Sequence, residues 1–299
     1  MGAELDIKPE NNAIIAAIDM VYTTRFDVSF SDVANPADHT LLLQVHDTGV
    51  QLFAVNEKCQ PVLYKNIQFD SSSMEFGTPL TEWLKEQKDW LNGWGRLVVV
   101  HYAPQAAVVP AALYSVDNGK ELLDIQFGDL FRGTLLAEQV PGRNDYTIYR
   151  IPTSLYQELS AIHAKVQHRH LFSLWIAWLD KQHASANGDV YLLFETSHVA
   201  VAVRKHEWVL MQLYEYNVPE DVSYQVLHAL EQHELSPQSV NLHVDGWIDK
   251  DSALYLELFK YFRNIRTARV PDSMEVDISR LQEQPEHYFT PLMQMATCV

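Results

Sequence analysis

"LLLQVHDTGVQLFAV" (residues 41–55) is the stretch on which the reading of this chain turns. Leu41–Val45 and Val50–Val55 read as two strands, and Asp47-Thr48-Gly49 sits where one would turn into the next. Asp and Gly both tolerate positive φ, so the triplet suits the tip of a hairpin. The same triplet also has the composition of a phosphate-gripping turn, in which an acid holds a metal and glycine lets backbone N–H groups approach an anion. Register has to decide between the two.

A third strand, Val62–Phe69, comes after a turn at Asn56–Gln60. The pattern then returns in "DVYLLFETSHVAVAVRKHEWVLMQLYEY" (189–216), as strands at Val190–Phe194, Val199–Val203 and Trp208–Tyr216. The elements after each block match as well. The first block leads into an amphipathic helix at 78–91 and a strand at 96–102. The second leads into a helix at 219–235, a strand at 240–246 and a helix at 251–262 capped by Asp or Ser. Pro219 suits a first helical turn, Glu220 and Asp221 suit the positive helix N-terminus, and Val222, Val226 and Leu230 form the buried stripe. The first half continues through a strand at Tyr146–Ile151, a helix opened by Pro152 and a helix at 170–183. The chain therefore reads as an α/β protein of two βββαβα units. The first lobe spans 1–187, with 1–35 as an N-terminal extension, and the second spans 188–299. The small, polar "ASANGD" (184–189) marks the seam, and a short helix in "EHYFTPLMQM" (286–295) ends the chain.

Composition narrows the function classes. The 299 residues carry a net charge of −17, so a phosphate backbone or an anionic membrane is a poor partner. The nearest basic cluster, "KYFRNIRTAR" (260–269), reads as a helix and its following strand. Cys59 and Cys298 allow no disulfide framework, and unpaired thiols point to a reducing compartment. The polar, acidic start does not read as a signal peptide. The most apolar region, 97–114, is broken by His101, Pro104 and Pro110 and cannot span a membrane. The expected setting is the cytoplasm.

A duplicated meander-then-helix unit of this size resembles the actin-like ATPase (ribonuclease H-like) architecture. More closely, the chain resembles a bacterial family of domains of unknown function with that fold. The resemblance runs from about residue 36 to the end. It is carried by "VVPAALY" (108–114), "LYEYNVPEDVSYQVLHALEQHELSP" (213–237), "DGWIDKDSALYLELFKYFRNI" (245–265) and "PEHYFTPLMQMATCV" (285–299). The resemblance implies two facing lobes with a nucleotide cleft between them. In active members each lobe offers an Asp-x-Gly turn between its first two strands, and a Gly-Gly pair late in the second lobe receives adenosine.

Set in that register, the ATPase positions do not match. Counting back from Val50 puts Gln44 at the Asp position and His46 at the Gly position, with Asp47 and Gly49 at the hairpin tip. Counting back from Val199 puts Leu193 and Glu195 there, and Glu195 reads as an exposed hairpin residue. At the adenosine position stand Asp245, Gly246 and Trp247. The indole either plugs the cleft, packs under the next helix or stacks on a base. Asp47, Gly49, Asp245, Gly246 and Trp247 are therefore the candidate ligand-binding residues. No catalytic residue, cofactor or metal is assigned. His163, His168 and His170 read as surface histidines between two helices rather than a metal site. The function expected is a non-catalytic scaffold or adaptor holding another protein, on the pattern of actin-like scaffolds in pilus assembly and secretion. The alternative is a binder of ATP, another nucleotide or a small ligand in an altered cleft.

Overall fold

The computed structural model describes residues 22–33, 35–46, 48–69, 78–281 and 283–299. The first lobe runs β1 (Tyr22–Ser29), β2 (Thr40–His46), β3 (Gly49–Val55), β4 (Pro61–Phe69), α1 (Thr78–Glu86), α2 (Lys88–Asn92) and β5 (Arg96–His101). An insert comes next: β6 (Ala106–Pro110), α3 (Gly119–Phe127), β7 (Thr134–Gln139) and β8 (Asp145–Ile151). The lobe closes with α4 (Thr153–Ile162), β9 (Gln167–His170) and α5 (Leu171–Leu179). The second lobe runs β10 (Asp189–Phe194), β11 (His198–Arg204), β12 (Trp208–Glu215), α6 (Pro219–Gln232), β13 (Asn241–Gly246), α7 (Ala253–Phe259) and β14 (Asn264–Thr267), and ends in α8 (Thr290–Ala296).

The duplication is visible in the strand orders. The first sheet is β1-β4-β3-β2-β5-β9 and the second is β12-β11-β10-β13-β14. Without β1 the two are the same: an antiparallel meander with two parallel additions. The parallel strands explain the near-continuous apolar run of β5, since helices cover both of its faces. The insert forms its own three-stranded sheet, β6-β8-β7. It reaches the second lobe through Gln126, whose amide donates to Gln212 Oε1 at 3.2 Å.

Strand alternation sorts the core into layers. Leu41, Leu43 and Val45 pack under α1, α2 and α4, while Val190, Leu192 and Phe194 pack under α6 and α7. The opposite faces meet in one cluster shared by both lobes, which joins Leu42 and Phe53 to Tyr191 and Leu193. Two helices fill that layer. In α5, eight of nine residues are buried, and in α8 all seven are. Helices buried all round belong between sheets rather than on a surface. α8 touches α5, β2, β3 and β13.

Three sequence expectations change. The helix expected at 78–91 is two, because Gln87 leaves helical geometry (φ −88°, ψ 4°) between α1 and α2. Residues 167–170, read as lying between helix ends, form β9, paired in parallel with β5. Their polar "QHRH" carries no strand period, so only the neighbouring strand reveals them. Residues 22–29, placed in an N-terminal extension, form β1 on the edge beside β4.

The wedge role of α8 makes a stability prediction. Phe289, fully buried beside Phe26 and Tyr64, is expected to cost about 3–5 kcal/mol when changed to Ala. Urea unfolding measures this, and a loss below about 1 kcal/mol would show that α8 does not hold the lobes together.

Candidate functional site

The period of two that buries Leu42 and Leu193 carries their neighbours Gln44 and Glu195 to the same inter-lobe face. Gln51 lies directly across from Gln44 in the β2–β3 ladder, so the two amides stand side by side. Across the seam both donate to one carboxylate oxygen. Gln44 Nε2 lies 2.6 Å and Gln51 Nε2 2.8 Å from Glu195 Oε1. Tyr64 Oη completes the chain by donating to Gln51 Oε1 at 3.0 Å. A second bridge runs from Gln68 Nε2 to Thr196 Oγ1 at 3.1 Å. Glu195, expected on an exposed hairpin, is instead 4% exposed. The β10–β11 turn is pressed against β2, and sequence alone does not show that apposition.

Burial pushes the Glu195 carboxyl from the ordinary 4.5 up to about 7, against the opposing pull of Gln44, Gln51, Trp247 and the Arg25 charge. Asp245, near the end of β13, is raised to about 7 by the same cause. Its carboxylate accepts from Thr290 Oγ1 at 2.5 Å, Gln294 Nε2 at 2.9 Å and its neighbour's Gly246 N–H at 2.9 Å. Asp245 thus ties β13 to α8.

The remaining candidates have local reasons of their own. Asp47 lies outside the described residues. Thr48 and Gly49 stand at the end of the β2–β3 hairpin, where Gly49 pairs with His46. A Cβ on Gly49 would lie 2.2 Å from Ile67 O, so β4 itself requires the glycine. Gly246 has φ 77°, and a Cβ there would lie 2.2 Å from Phe194 O. Trp247 stacks on Phe26 of β1 with ring centroids 5.5 Å apart and planes 7° from parallel, and it touches Tyr288 at 4.9 Å.

Little space is left on the floor of the seam. The void among His46, Thr48, Tyr102, Glu195 and His198 measures about 10 Å³, room for roughly one water. Toward the outside, Arg25, Phe26, Tyr216, Trp247, Asp249 and Tyr288 line a cavity of about 450 Å³. A larger cavity of about 670 Å³ lies inside the first lobe, between α1, α4 and the insert. Despite its size, the facing hairpin residues Gln44 and Glu195 do not line it.

Of the three histidines expected on the surface, His163 and His170 are buried and structural, while His168 is half-buried beside His101. His163 Nε2 donates to Trp94 O at 2.9 Å while its Nδ1 accepts from Lys165 N. His170 Nε2 donates to Ala103 O at 3.0 Å while its Nδ1 accepts from Phe172 N, capping α5. Both rings are buried and have both nitrogens engaged by backbone. Among the described residues, no group of three or more His, Cys, Asp or Glu side chains is placed to hold a metal ion.

One family model matches the sequence, and solved structures share the fold. The profile of the family described as "Protein of unknown function (DUF3822)" matches residues 29–265. No curated protein matches the chain by sequence. Among solved structures, a Bacteroides thetaiotaomicron protein with actin-like ATPase fold and unknown function aligns with TM-score 0.68 and 16% identity, over 84% of this chain and 97% of that one. The PilM–PilN type IV pilus biogenesis complex aligns with TM-score 0.58 and 12% identity, over 86% of this chain and 96% of that one. The fold is thus actin-like, as the duplicated sequence pattern implied.

The raised carboxyl predicts a pH dependence. A folded-state pKa of about 7 above the ordinary 4.5 means that the folded chain keeps a proton that the unfolded chain gives up. The stabilisation is complete below pH 4.5 and is lost as pH rises to about 7. Glu195→Gln removes this dependence. Relative to the parent, the variant should gain stability between pH 5 and pH 7.5, by on the order of 1–3 kcal/mol. Denaturant midpoints at the two pH values measure the difference, and parallel profiles would mean that Glu195 is ionised in the seam throughout.

Proposed function

This chain belongs to the DUF3822 family, and from that premise we propose that it is a non-catalytic scaffold or adaptor. In this reading the nucleotide site of the actin-like fold is degenerate, and the two lobes serve to hold another protein. One observation carries the reading: the facing hairpins bond directly to each other through Gln44, Gln51 and Glu195. In the register set by the two meanders, these are the corners where a triphosphate and its metal would sit. An amide stands at the acid position of the first lobe and Leu193 at that of the second. A buried carboxyl replaces the second glycine, and it would repel a phosphate once ionised.

Two further observations favour a protein partner. The insert exposes large apolar side chains, with Leu113 at 61%, Val116 at 83%, Ile125 at 84% and Leu130 at 97%. Such a concentration in one segment is the kind of surface that partners cover. The PilM–PilN structure, of the same fold, is a complex of two proteins. The net charge of −17 argues against nucleic acid as the partner. Among the described residues no helix is long and apolar enough to cross a membrane. We place the protein in the cytoplasm, on the strength of its two unpaired cysteines. The cavity of about 450 Å³ beside Trp247 supports a second reading, in which an altered cleft binds a small ligand.

Isothermal titration with ATP and magnesium tests the main reading. No saturable binding tighter than about 100 μM is expected, a threshold of roughly 5.5 kcal/mol. Tighter binding, lost on filling the seam, would overturn the degenerate-site reading in favour of a nucleotide binder.

A further inference from the structure

The strand β1 carries a device that its sequence does not announce. It pairs with β4 at Thr24↔Ile67 and then at Phe26↔Asn66, so Arg25 is the extra residue of a β-bulge. A bulge breaks the alternation of a strand and re-aims its side chain. Here it turns Arg25 toward the mouth of the cleft, where the guanidinium carbon lies 5.3 Å from the centroid of the Trp247 ring. Phe26, the next residue, stacks on the same indole.

The cavity around that guanidinium has the chemistry of a cation site. Trp247, Tyr216 and Tyr288 supply aromatic groups, and Asp249 and Glu195 supply carboxyls. The lining is set in place: the Tyr288 hydroxyl donates to Asp249 Oδ1, Gln44 and Gln51 hold the Glu195 carboxyl, and Tyr216 Oη donates to the Glu195 backbone oxygen at 2.9 Å. The occupant comes from an exposed edge strand, since six of the eight residues of β1 are exposed, Arg25 among them. Its grip on the site is a ring contact from a strand held by β4 on one side, which another cation could replace.

We propose that this mouth cavity is a binding site for a guanidinium group, whose indole face is covered here in cis by Arg25 and in a complex by an arginine of a protein partner. A planar guanidinium stacks on an indole while donating to carboxylates, which an ammonium does less well. The strongly acidic chain draws basic partners toward it. The site deepens the scaffold reading and rests on it for the source of the arginine. The pocket itself is tested without any partner, and ATP titration tests the scaffold reading separately.

The probe is N-acetyl-arginine methylamide, titrated calorimetrically into the full chain. Arg25→Ala and Arg25→Gln, at an exposed bulge, should both fold, and both should bind the probe saturably. The parent should bind it about tenfold more weakly, because its own arginine competes. The citrulline counterpart, which has the same shape without the charge, should not bind. Asp249→Asn added to Arg25→Ala should weaken binding several-fold. The proposal is overturned if both folded Arg25 variants fail to bind the probe. It is equally overturned if they bind no better than the parent, or if citrulline binds as well as arginine.

Discussion

At the centre of the seam between the two lobes lies one buried carboxyl, and its surroundings answer its need for partners. Glu195 reaches the seam with its solvent lost, and a carboxyl in that position is costly unless donors meet it. Gln44 and Gln51, opposite each other on neighbouring strands, bring two amide donors to a single oxygen. Tyr64 donates to the Gln51 amide oxygen, which turns the amide nitrogen toward Glu195. Each lobe offers half of an arrangement whose donors meet the Glu195 carboxyl only when the lobes are together. Removing either half would leave a buried polar group without its partner, which costs more than the bond itself contributes.

The apolar wedge works with that polar contact. α5 and α8 fill the layer between the sheets, and the shared cluster binds residues from both lobes into one core. Asp245 holds α8 to β13 through Thr290 and Gln294, so the end of the chain is fastened to the strand that precedes Trp247. Trp247 in turn is covered by Phe26 from the first strand and by Tyr288 just ahead of α8. Segments at both ends of the described chain therefore converge on the cleft. The seam between the lobes is fastened by the chain's own side chains, and this is the physical content of the scaffold reading.

Much of the architecture was legible in the residues. Two runs of alternating strands, each leading into helix, strand and helix, gave a duplicated unit, because strand and helix periods are local properties. Pro219, Glu220 and Asp221 announced α6, and Asp221 indeed accepts from the N–H groups of Asn217 and Val218. The short β9 was hidden, since four polar residues become a strand only when β5 lies beside them. The bulge at Arg25 was hidden for the same reason: a bulge is a relation between two strands.

The sequence by itself determined the repeat, and the resemblance it carries implied the actin-like fold that the structure shows. It also determined that Gln44 shares a strand face with Leu42, because alternation is built into the extended backbone, whereas Glu195 read as an exposed hairpin residue. The tertiary structure decided which surfaces those faces meet. Glu195 is buried, Gln51 completes its contact, and Arg25 and Phe26 cover Trp247, since each of these depends on one lobe or edge strand lying against residues far away in the chain.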